Sequence, residues 1–255
     1  MDKTSIVGSP SSAVPVEDKT IPIFNNFKVS NNLDIPHYLE QTYWWAYIHP
    51  TGVRFFERQW LVNLILWGNF AKLRDKAIEE IEVGDDGKVL QVACVYGDFT
   101  QKVSAVLPKK ATLDVVDVAP VQLHNLAAKL QGQGNVSLFH QDSTNLTFED
   151  NSYDNVVLFF LLHEQPADVR LKTIKEALRV IRPGGKLIFV DYHQPGAGNP
   201  FRYIMTPILK ILEPFAMDMW KNEIVDWIPA DLQLAKVEKE TYFGGLYQKV
   251  IMIKE

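Results

Sequence analysis

The chain has 255 residues and a net charge of −5, with 47% hydrophobic and 22% charged residues. This composition is that of a globular protein, and it excludes a disordered chain, a coiled coil and a collagen-like repeat. The length favours one domain with extensions. Because the chain is acidic overall, we expect no nucleic-acid partner. The single cysteine, Cys94, excludes an internal disulfide and a cysteine-rich zinc site.

The N-terminal third divides into a tail and an aromatic extension. Residues 1–36 are rich in Ser, Pro and Asn without an apolar period, and they predict a disordered tail. No secretory signal is recognisable there, so we expect a cytoplasmic protein. Residues 37–80 predict an aromatic-rich helical extension. Its apolar stretch 60–70 is too short for a bilayer span of about 20 residues, and it predicts either a core-packing helix or a surface for an apolar substrate or bilayer.

From residue 81 onward, short apolar runs alternate with helical segments. This alternation predicts an α/β fold with a doubly wound, mostly parallel sheet. Two final runs joined through Gly244-Gly245 predict an antiparallel hairpin at the sheet edge, and residues 201–229 predict a helical lid. The predicted strands are 89–95, 112–118, 136–140, 155–161, 186–191, 234–241 and 247–254, and the predicted helices are 99–107, 121–131 and 169–181.

The ends of the first strands are where an open α/β sheet binds its ligand. The first strand leads into Gln91-Val92-Ala93-Cys94-Val95-Tyr96-Gly97-Asp98, the second ends in Asp117, and the third is followed by Asp142-Ser143. Over about residues 86–195 this series resembles the class I S-adenosylmethionine-dependent methyltransferases, and in particular their quinone-modifying branch.

The resemblance implies an S-adenosylmethionine site. Asp117 would accept hydrogen bonds from both ribose hydroxyls, because a carboxylate offers two acceptor oxygens. Val118 would lie against the adenine, and Asp142 with Ser143 would meet the adenine amino group. Taken alone, Asp117 is also compatible with a cap for the helix that starts near Pro120.

The loop after the first strand departs from the family pattern of an acid followed by alternate glycines. Glycine there lets the backbone approach the cofactor, but here Gln91 stands at the acidic position and Ala93 and Val95 at two glycine positions. Tyr96 precedes the one remaining glycine, Gly97. Either the site has decayed into a scaffold, or it is rebuilt to hold the same cofactor in another pose. The persistence of both adenosine-binding acids favours rebuilding.

Together with the aromatic segments 44–50 and 55–63, the altered loop is similar to the rhodoquinone biosynthesis protein family over about residues 38–255. This resemblance implies conversion of ubiquinone to rhodoquinone, in which an amino group replaces a ring methoxy group, with S-adenosylmethionine as nitrogen source and manganese as cofactor. The spacing identifies no metal ligands. A conventional methyltransferase acting on a quinone or other lipid-like acceptor, and a non-catalytic quinone-binding protein, stay open as alternatives.

Amino transfer requires a general base, because an ammonium group is not nucleophilic until it loses a proton. Tyr96 and Asp98 lie beside the position expected for the cofactor's ammonium group. His163, after the fourth strand, is a candidate base or substrate-positioning residue; the alternative for His163-Glu164 is a helix start with a solvated glutamate. The predicted catalytic residues are Tyr96, Asp98 and His163, and the predicted cofactor-binding residues are Ala93, Val95, Tyr96, Gly97, Asp117, Val118, Asp142 and Ser143.

All six tryptophans lie outside residues 88–200. A ubiquinone tail stays in the bilayer, so we expect the protein to contact the inner membrane peripherally through the apolar flanks 43–70 and 201–227. The sequence leaves a homo-oligomer open.

Overall fold

The computed structural model describes residues 27–28, 33–130, 132–230 and 232–255. The disordered tail predicted over residues 1–36 therefore lies outside the described residues, except for 27–28 and 33–36. Phe27 and Lys28 pair in parallel with Leu138 and Phe139, so this part of the predicted tail is a short edge strand.

An eight-stranded sheet lies at the centre of the described residues. Its strands are β1 (Phe27–Lys28), β2 (Lys88–Val92), β3 (Thr112–Asp117), β4 (Val136–His140), β5 (Tyr153–Phe159), β6 (Ile181–Tyr192), β7 (Leu234–Tyr242) and β8 (Tyr247–Lys254). The order is β1-β4-β3-β2-β5-β6-β8-β7. The pairs from β1 to β6 are parallel, whereas β8 is antiparallel to both β6 and β7. The predicted α/β class and the antiparallel edge are confirmed.

Helices cover both faces of this sheet. They are α1 (His37–Thr42), α2 (Pro50–Phe56), α3 (Gln59–Ile65), α4 (Phe70–Ile78), α5 (Phe99–Val106), α6 (Pro120–Lys129), α7 (Ala167–Val180) and α8 (Phe201–Leu212), with short π or 3₁₀ turns at Trp44–Ile48, Leu162–Glu164, Ala216–Trp220 and Ile224–Trp227. Strands covered on both sides read as continuous apolar runs, and Val89, Leu113 and Val156 are accordingly fully buried.

The helical extension packs into the main core. Phe70, Leu73 and Ala77 of α4 are buried in the same hydrophobic cluster as the strands. In the apolar stretch 60–70, Leu66 is buried as a core-packing helix requires, whereas Trp60 is exposed. Within the described residues, no helix is long and apolar enough to span a bilayer.

Candidate functional site

A cavity opens at the carboxyl ends of β2, β3 and β5. One wall consists of loop residues that follow β2, β3 and β4, namely Ala93, Cys94, Asp117, Val118 and Ser143. This is the position where an open α/β sheet binds a ligand. The N-terminal segment and the loop after β5 contribute the opposite wall, with Tyr38, Tyr47, Phe160 and Glu164 among its residues.

Asp117 ties together the two loops beneath the cavity. Its Oδ2 accepts a hydrogen bond from the Cys94 N–H at 2.7 Å, and its Oδ1 accepts one from the Ala119 N–H at 2.8 Å. Burial raises the pKa of Asp117, and the two N–H groups oppose this shift. An ionised carboxylate can accept about four hydrogen bonds, so the side chain holds the start of α6 and retains acceptor capacity toward the cavity. The residues here fit the ribose of S-adenosylmethionine.

The loop after β2 keeps a left-handed turn without glycine. Ala93 has φ +73°, which ends β2 three residues earlier than the sequence predicts. The buried Gln91 side chain supports the turn, because its Nε2 donates to the Ala93 carbonyl at 2.9 Å and its Oε1 accepts from the Thr100 hydroxyl at 3.0 Å. Gln91, the neutral amide at the position where an acid was expected, therefore stabilises this turn.

Gly97 is constrained by the N-terminal extension. Its φ is +80°, and an added Cβ would lie 2.8 Å from Gln59 Oε1 and 3.0 Å from the Phe70 ring. The remaining glycine of the loop is thus required for close packing against α3 and α4. Gly97 and its neighbour Val95 do not line the cavity.

Tyr96 faces the N-terminal segment. Its hydroxyl donates to the Ala46 carbonyl at 2.6 Å and accepts from Gln122 Nε2 at 2.8 Å. The Tyr96 ring stacks on Tyr47 with centroids 5.7 Å apart and an interplanar angle of 13°. Gln122 also donates to the Tyr47 carbonyl. Tyr96 therefore binds the π turn that walls the cavity and does not itself line the cavity.

Asp98 and Asp142 also lie away from the cavity wall. Arg74 Nη1 donates to both oxygens of Asp98, at 2.6 and 2.7 Å. Asp142 Oδ1 accepts from the Thr144 N–H at 2.8 Å, which shapes the loop that carries Ser143. Tyr96, Asp98 and His163 are therefore not brought together around one reacting atom, whereas Ala93, Asp117, Val118 and Ser143 share the wall.

A buried acid–base cluster lies beside the cavity. His163 Nδ1 is 2.9 Å from Asp191 Oδ1, and Nε2 is 3.8 Å from Glu164 Oε1. Asp191 is held in place because its Oδ2 accepts from the Leu162 N–H at 2.9 Å and its Oδ1 from the Tyr192 N–H at 2.7 Å. Burial lowers the pKa of His163, but the nearby Asp191 outweighs it and raises that pKa to about 9.

Glu164 is the cluster member that reaches the cavity. Its side chain is only 14% exposed, so the alternative of a solvated glutamate is wrong. Burial raises its pKa to about 8, with His163 opposing and Glu213 reinforcing the shift. Glu213, which follows α8, was not among the predicted site residues. The signal available for Glu164 was its place two residues after the apolar run 156–162, just beyond a central strand.

Arg170 on α7 connects the cluster loop to the predicted lid. The fully buried guanidinium donates to the carbonyls of Leu162, Gln165 and Phe215 at 2.9, 2.8 and 3.1 Å. It also lies 4.5 Å from the Trp227 ring centroid. The loop after β5 and the segment after α8 are therefore held together.

The last feature of the site is its capacity to bind a metal ion. No group of three or more His, Cys, Asp or Glu side chains is arranged to hold a metal ion in the parts of the chain that the structure describes. The donor set does not match the manganese site that the family resemblance implies.

The sheet order and the cavity define the class I S-adenosylmethionine-dependent methyltransferase fold. Residues 89–185 match the family model described as methyltransferase domain. A structure of a SAM dependent methyltransferase from Aquifex aeolicus superposes with a TM-score of 0.53 at 16% identity, covering 82% of this chain and 100% of that one.

Two curated relatives point toward quinones by name. A demethylmenaquinone methyltransferase from Staphylococcus saprophyticus is 32% identical over 135 residues, which cover 53% of this chain and 57% of the relative. One from Bacillus pumilus is 27% identical over 188 residues, covering 70% of this chain and 80% of the relative. The chain thus spans little more than half the length of the first relative and resembles quinone methyltransferases.

Proposed function

We propose that this protein binds S-adenosylmethionine and uses it to replace a ring methoxy group of ubiquinone by an amino group, yielding rhodoquinone. The observation that carries the proposal is the left-handed turn at Ala93. The loop keeps a glycine-like backbone path below the cavity, yet it carries a Cβ on the cavity wall. Such a loop supports binding of the family's cofactor in an altered pose.

The residues of the cavity wall would hold the cofactor from below. Asp117 would accept from the ribose hydroxyls, and Val118 would lie against the adenine. Ser143 would flank the adenine, with Asp142 positioning its loop. Val95, Tyr96 and Gly97 would act from behind this wall by fixing the loop. When bound, S-adenosylmethionine supplies either the amine nitrogen or the methyl group of the transfer.

Residues of this chain supply the remaining roles in the proposed reaction. The N-terminal segment, bound to the loop through Tyr96, contributes one wall of the cavity and would shield a bound substrate from water. His163 would act through the buried cluster, whereas Asp98 would serve to hold α5 through its pair with Arg74. Manganese is implied only by the family resemblance, and none of these residue roles requires it.

A conventional methyl transfer to a quinone ring is the second candidate. The names of the two relatives favour it. A non-catalytic quinone-binding protein is the third, and the loop substitutions at Gln91, Ala93 and Val95 favour it because they remove features of the usual cofactor loop.

One labelling experiment separates these candidates. The purified protein is incubated with short-chain ubiquinone or, in a parallel reaction, with short-chain demethylmenaquinone, which has a free ring position. Both reactions contain S-adenosylmethionine labelled with ¹⁵N at the amine and deuterium at the methyl group, with and without Mn²⁺. Extracted quinones are then analysed by mass spectrometry. We expect ¹⁵N in the ring product together with loss of the methoxy mass. Deuterium in the product would instead establish methyl transfer, and an unlabelled quinone with measurable binding would establish the third candidate.

We also propose that the protein docks on a bilayer to reach its substrate, because a quinone tail stays in the lipid. The side chains of α3 and α8 form one apolar face, since Trp67 packs on Phe201 with ring centroids 4.7 Å apart and its Nε1 contacts Met205 Sδ. Exposed Arg58 and Lys72 flank the face on the α3 side and suit anionic lipids. The exposed apolar members of this face, which we call the α3/α8 face, are Trp60, Leu64, Ile65, Trp67, Tyr203, Ile204, Ile208, Ile211 and Leu212.

A further inference from the structure

Two carboxyl groups line the cavity, and they belong to different loops. Asp117 belongs to the cofactor wall, and both of its oxygens already bind backbone N–H groups. Glu164 lies on the other wall, beside Phe160 and Leu161. The remaining polar side chains of the lining are glutamines, tyrosines, a serine and a cysteine. Glu164 is therefore the carboxyl group available for proton exchange with a substrate ring above the cofactor.

The Glu164 carboxyl group is held in place from two sides. The Tyr47 side chain, from the π turn of the N-terminal segment, lines the same cavity and opposes the rise in the pKa of Glu164. Its own backbone is fixed in the 3₁₀ turn, where the Glu164 N–H donates to the Leu161 carbonyl at 3.1 Å. Tyr47 in turn stacks on Tyr96, which links this wall of the cavity to the loop after β2.

The titratable neighbours of Glu164 come from every element packed against it. They are His163 on the same turn, Asp191 at the end of β6, Glu213 after α8, and the hydroxyls of Tyr38, Tyr43, Tyr47 and Tyr192. Burial raises the pKa of each of these tyrosines. The raised pKa values of His163, beside Asp191, and of Glu164 therefore both favour the protonated forms.

We propose that Glu164 is the catalytic residue that exchanges a proton with the substrate, and that His163, held by Asp191, is a positioning residue that acts through it. This inference rests on the proposed function. His163 itself does not line the cavity, because Nδ1 faces Asp191 at 2.9 Å and Nε2 lies toward Glu164 at 3.8 Å. The Glu164 carboxyl group is the part of the cluster that would contact the substrate.

The proton balance of the substitution suits one carboxyl group. A nitrogen lone pair forms the new ring C–N bond, and the ring C–O bond breaks with its electron pair leaving on methoxide. Counted from a neutral amine, the nitrogen releases one proton and methoxide takes one up to become methanol. The nitrogen keeps its bond to the donor carbon in this step, and a separate step breaks that bond to leave the free amino group. Glu164 can deliver the proton to the leaving oxygen and regain one from the nitrogen, so the step needs no oxidant and no net proton.

The test compares Glu164→Gln with Glu164→Asp and with Glu149→Gln, an exposed glutamate far from the cavity lining. Kinetics with the labelled substrates and infrared spectra at several pH values are recorded for each. We expect Glu164→Gln to lower kcat by roughly a hundredfold or more while calorimetry shows unchanged S-adenosylmethionine affinity. Glu164→Asp should restore part of kcat with a displaced pH profile, which a merely structural role would not produce.

The infrared spectra detect whether the Glu164 carboxyl group is protonated, and they do not require the enzyme to turn over. Wild type and Glu149→Gln should show a protonated-carboxyl band at neutral pH that weakens as the pH rises past about 8, and this component should be missing in Glu164→Gln. An unchanged band or wild-type kcat in Glu164→Gln would overturn the role of Glu164. If the wild type makes neither labelled product, the proposed function itself fails, and the catalytic role fails with it.

Discussion

The Tyr96 hydroxyl donates a hydrogen bond of 2.6 Å to the carbonyl oxygen of Ala46. A residue of the cofactor loop thus binds the segment that walls the cavity from the opposite side. Because Gln122 hydrogen-bonds both this hydroxyl and the Tyr47 carbonyl, loop and segment form one unit. The predictions below test this unit and the groups around it.

Tyr96→Phe should loosen the N-terminal segment while the sheet remains intact. The variant loses the bond to Ala46 and leaves Gln122 with one partner fewer, so we expect the free energy of unfolding to fall by about 1 kcal/mol. Hydrogen exchange followed by mass spectrometry should show faster exchange over residues 43–48. Tyr203→Phe, on an exposed tyrosine of α8, is the matched control. Unchanged protection over 43–48 would contradict the role of the hydroxyl.

The two residues at glycine positions in the loop should respond with opposite signs. Ala93→Gly relieves a left-handed conformation that costs a side-chain-bearing residue about 1–2 kcal/mol, although the added chain entropy offsets about half of this gain. Val95 has no positive φ, so glycine relieves no backbone strain at this position. Val95→Gly loses apolar contacts and should lower the free energy of unfolding by about 1 kcal/mol or more. Urea unfolding of both variants measures the difference. Equal losses would show that Ala93 is unstrained.

Asp117→Asn should weaken S-adenosylmethionine binding. The amide must present an N–H group where the carboxylate now accepts bonds from Cys94, Ala119 and, in the complex, the ribose. Loss of hydrogen bonds to a charged group costs about 1.5–3 kcal/mol, which corresponds to roughly a ten- to hundredfold weaker Kd. Calorimetry checks this, with Asp85→Asn in an exposed loop as control. Equal affinities would remove Asp117 from the cofactor site.

The stability of the wild type should fall as the pH rises above neutrality. The folded state raises the pKa of His163 to about 9, so the proton favours folding. This contribution is complete below about pH 6.5, amounts to about 3 kcal/mol, and is lost as the pH rises through 9. The raised pKa of Glu164 also makes the folded protein less stable as the pH rises, between about pH 4.5 and pH 8.

Urea unfolding across pH 6 to 10 is the corresponding measurement. His163→Gln should flatten the decline, whereas His37→Gln on an exposed helix end should keep it. A decline of the same size in both variants would mean that His163 carries no charge in the folded protein.

The α3/α8 face should control binding to lipid. Leu64 is 61% exposed and Ile211 is 77% exposed, and burying each in the bilayer interface contributes about 1.5–3 kcal/mol. The double variant Leu64→Ser, Ile211→Ser should therefore lower partitioning onto anionic vesicles by at least tenfold. Val106→Ser and Val237→Ser, on exposed positions elsewhere, are the matched control. Cosedimentation that is equal in both double variants would exclude this face.

The sheet could be predicted from the sequence because its signals are local. Apolar runs such as 136–140 and 247–254 coincide with β4 and β8, and the acid at position 117 ends β3 as expected. Burial on both faces makes the central strands mostly apolar, and that pattern is visible in the chain itself.

The direction of the loop side chains was settled only by tertiary packing. Tyr96 was expected at the cofactor, but it turns to the N-terminal segment, because Ala46 and Tyr47 lie about fifty positions earlier in the chain and supply its hydrogen-bond and stacking partners. Likewise, nothing adjacent in sequence shows that Gly97 is needed to make room for Phe70.

Composition and element order were thus sufficient to derive the α/β class. The acid–base cluster was decided by the fold alone, since His163, Asp191 and Glu213 come from segments far apart in the chain. Their protonation depends on burial and on distances between them, and both exist only once β5, β6 and the segment after α8 are packed together.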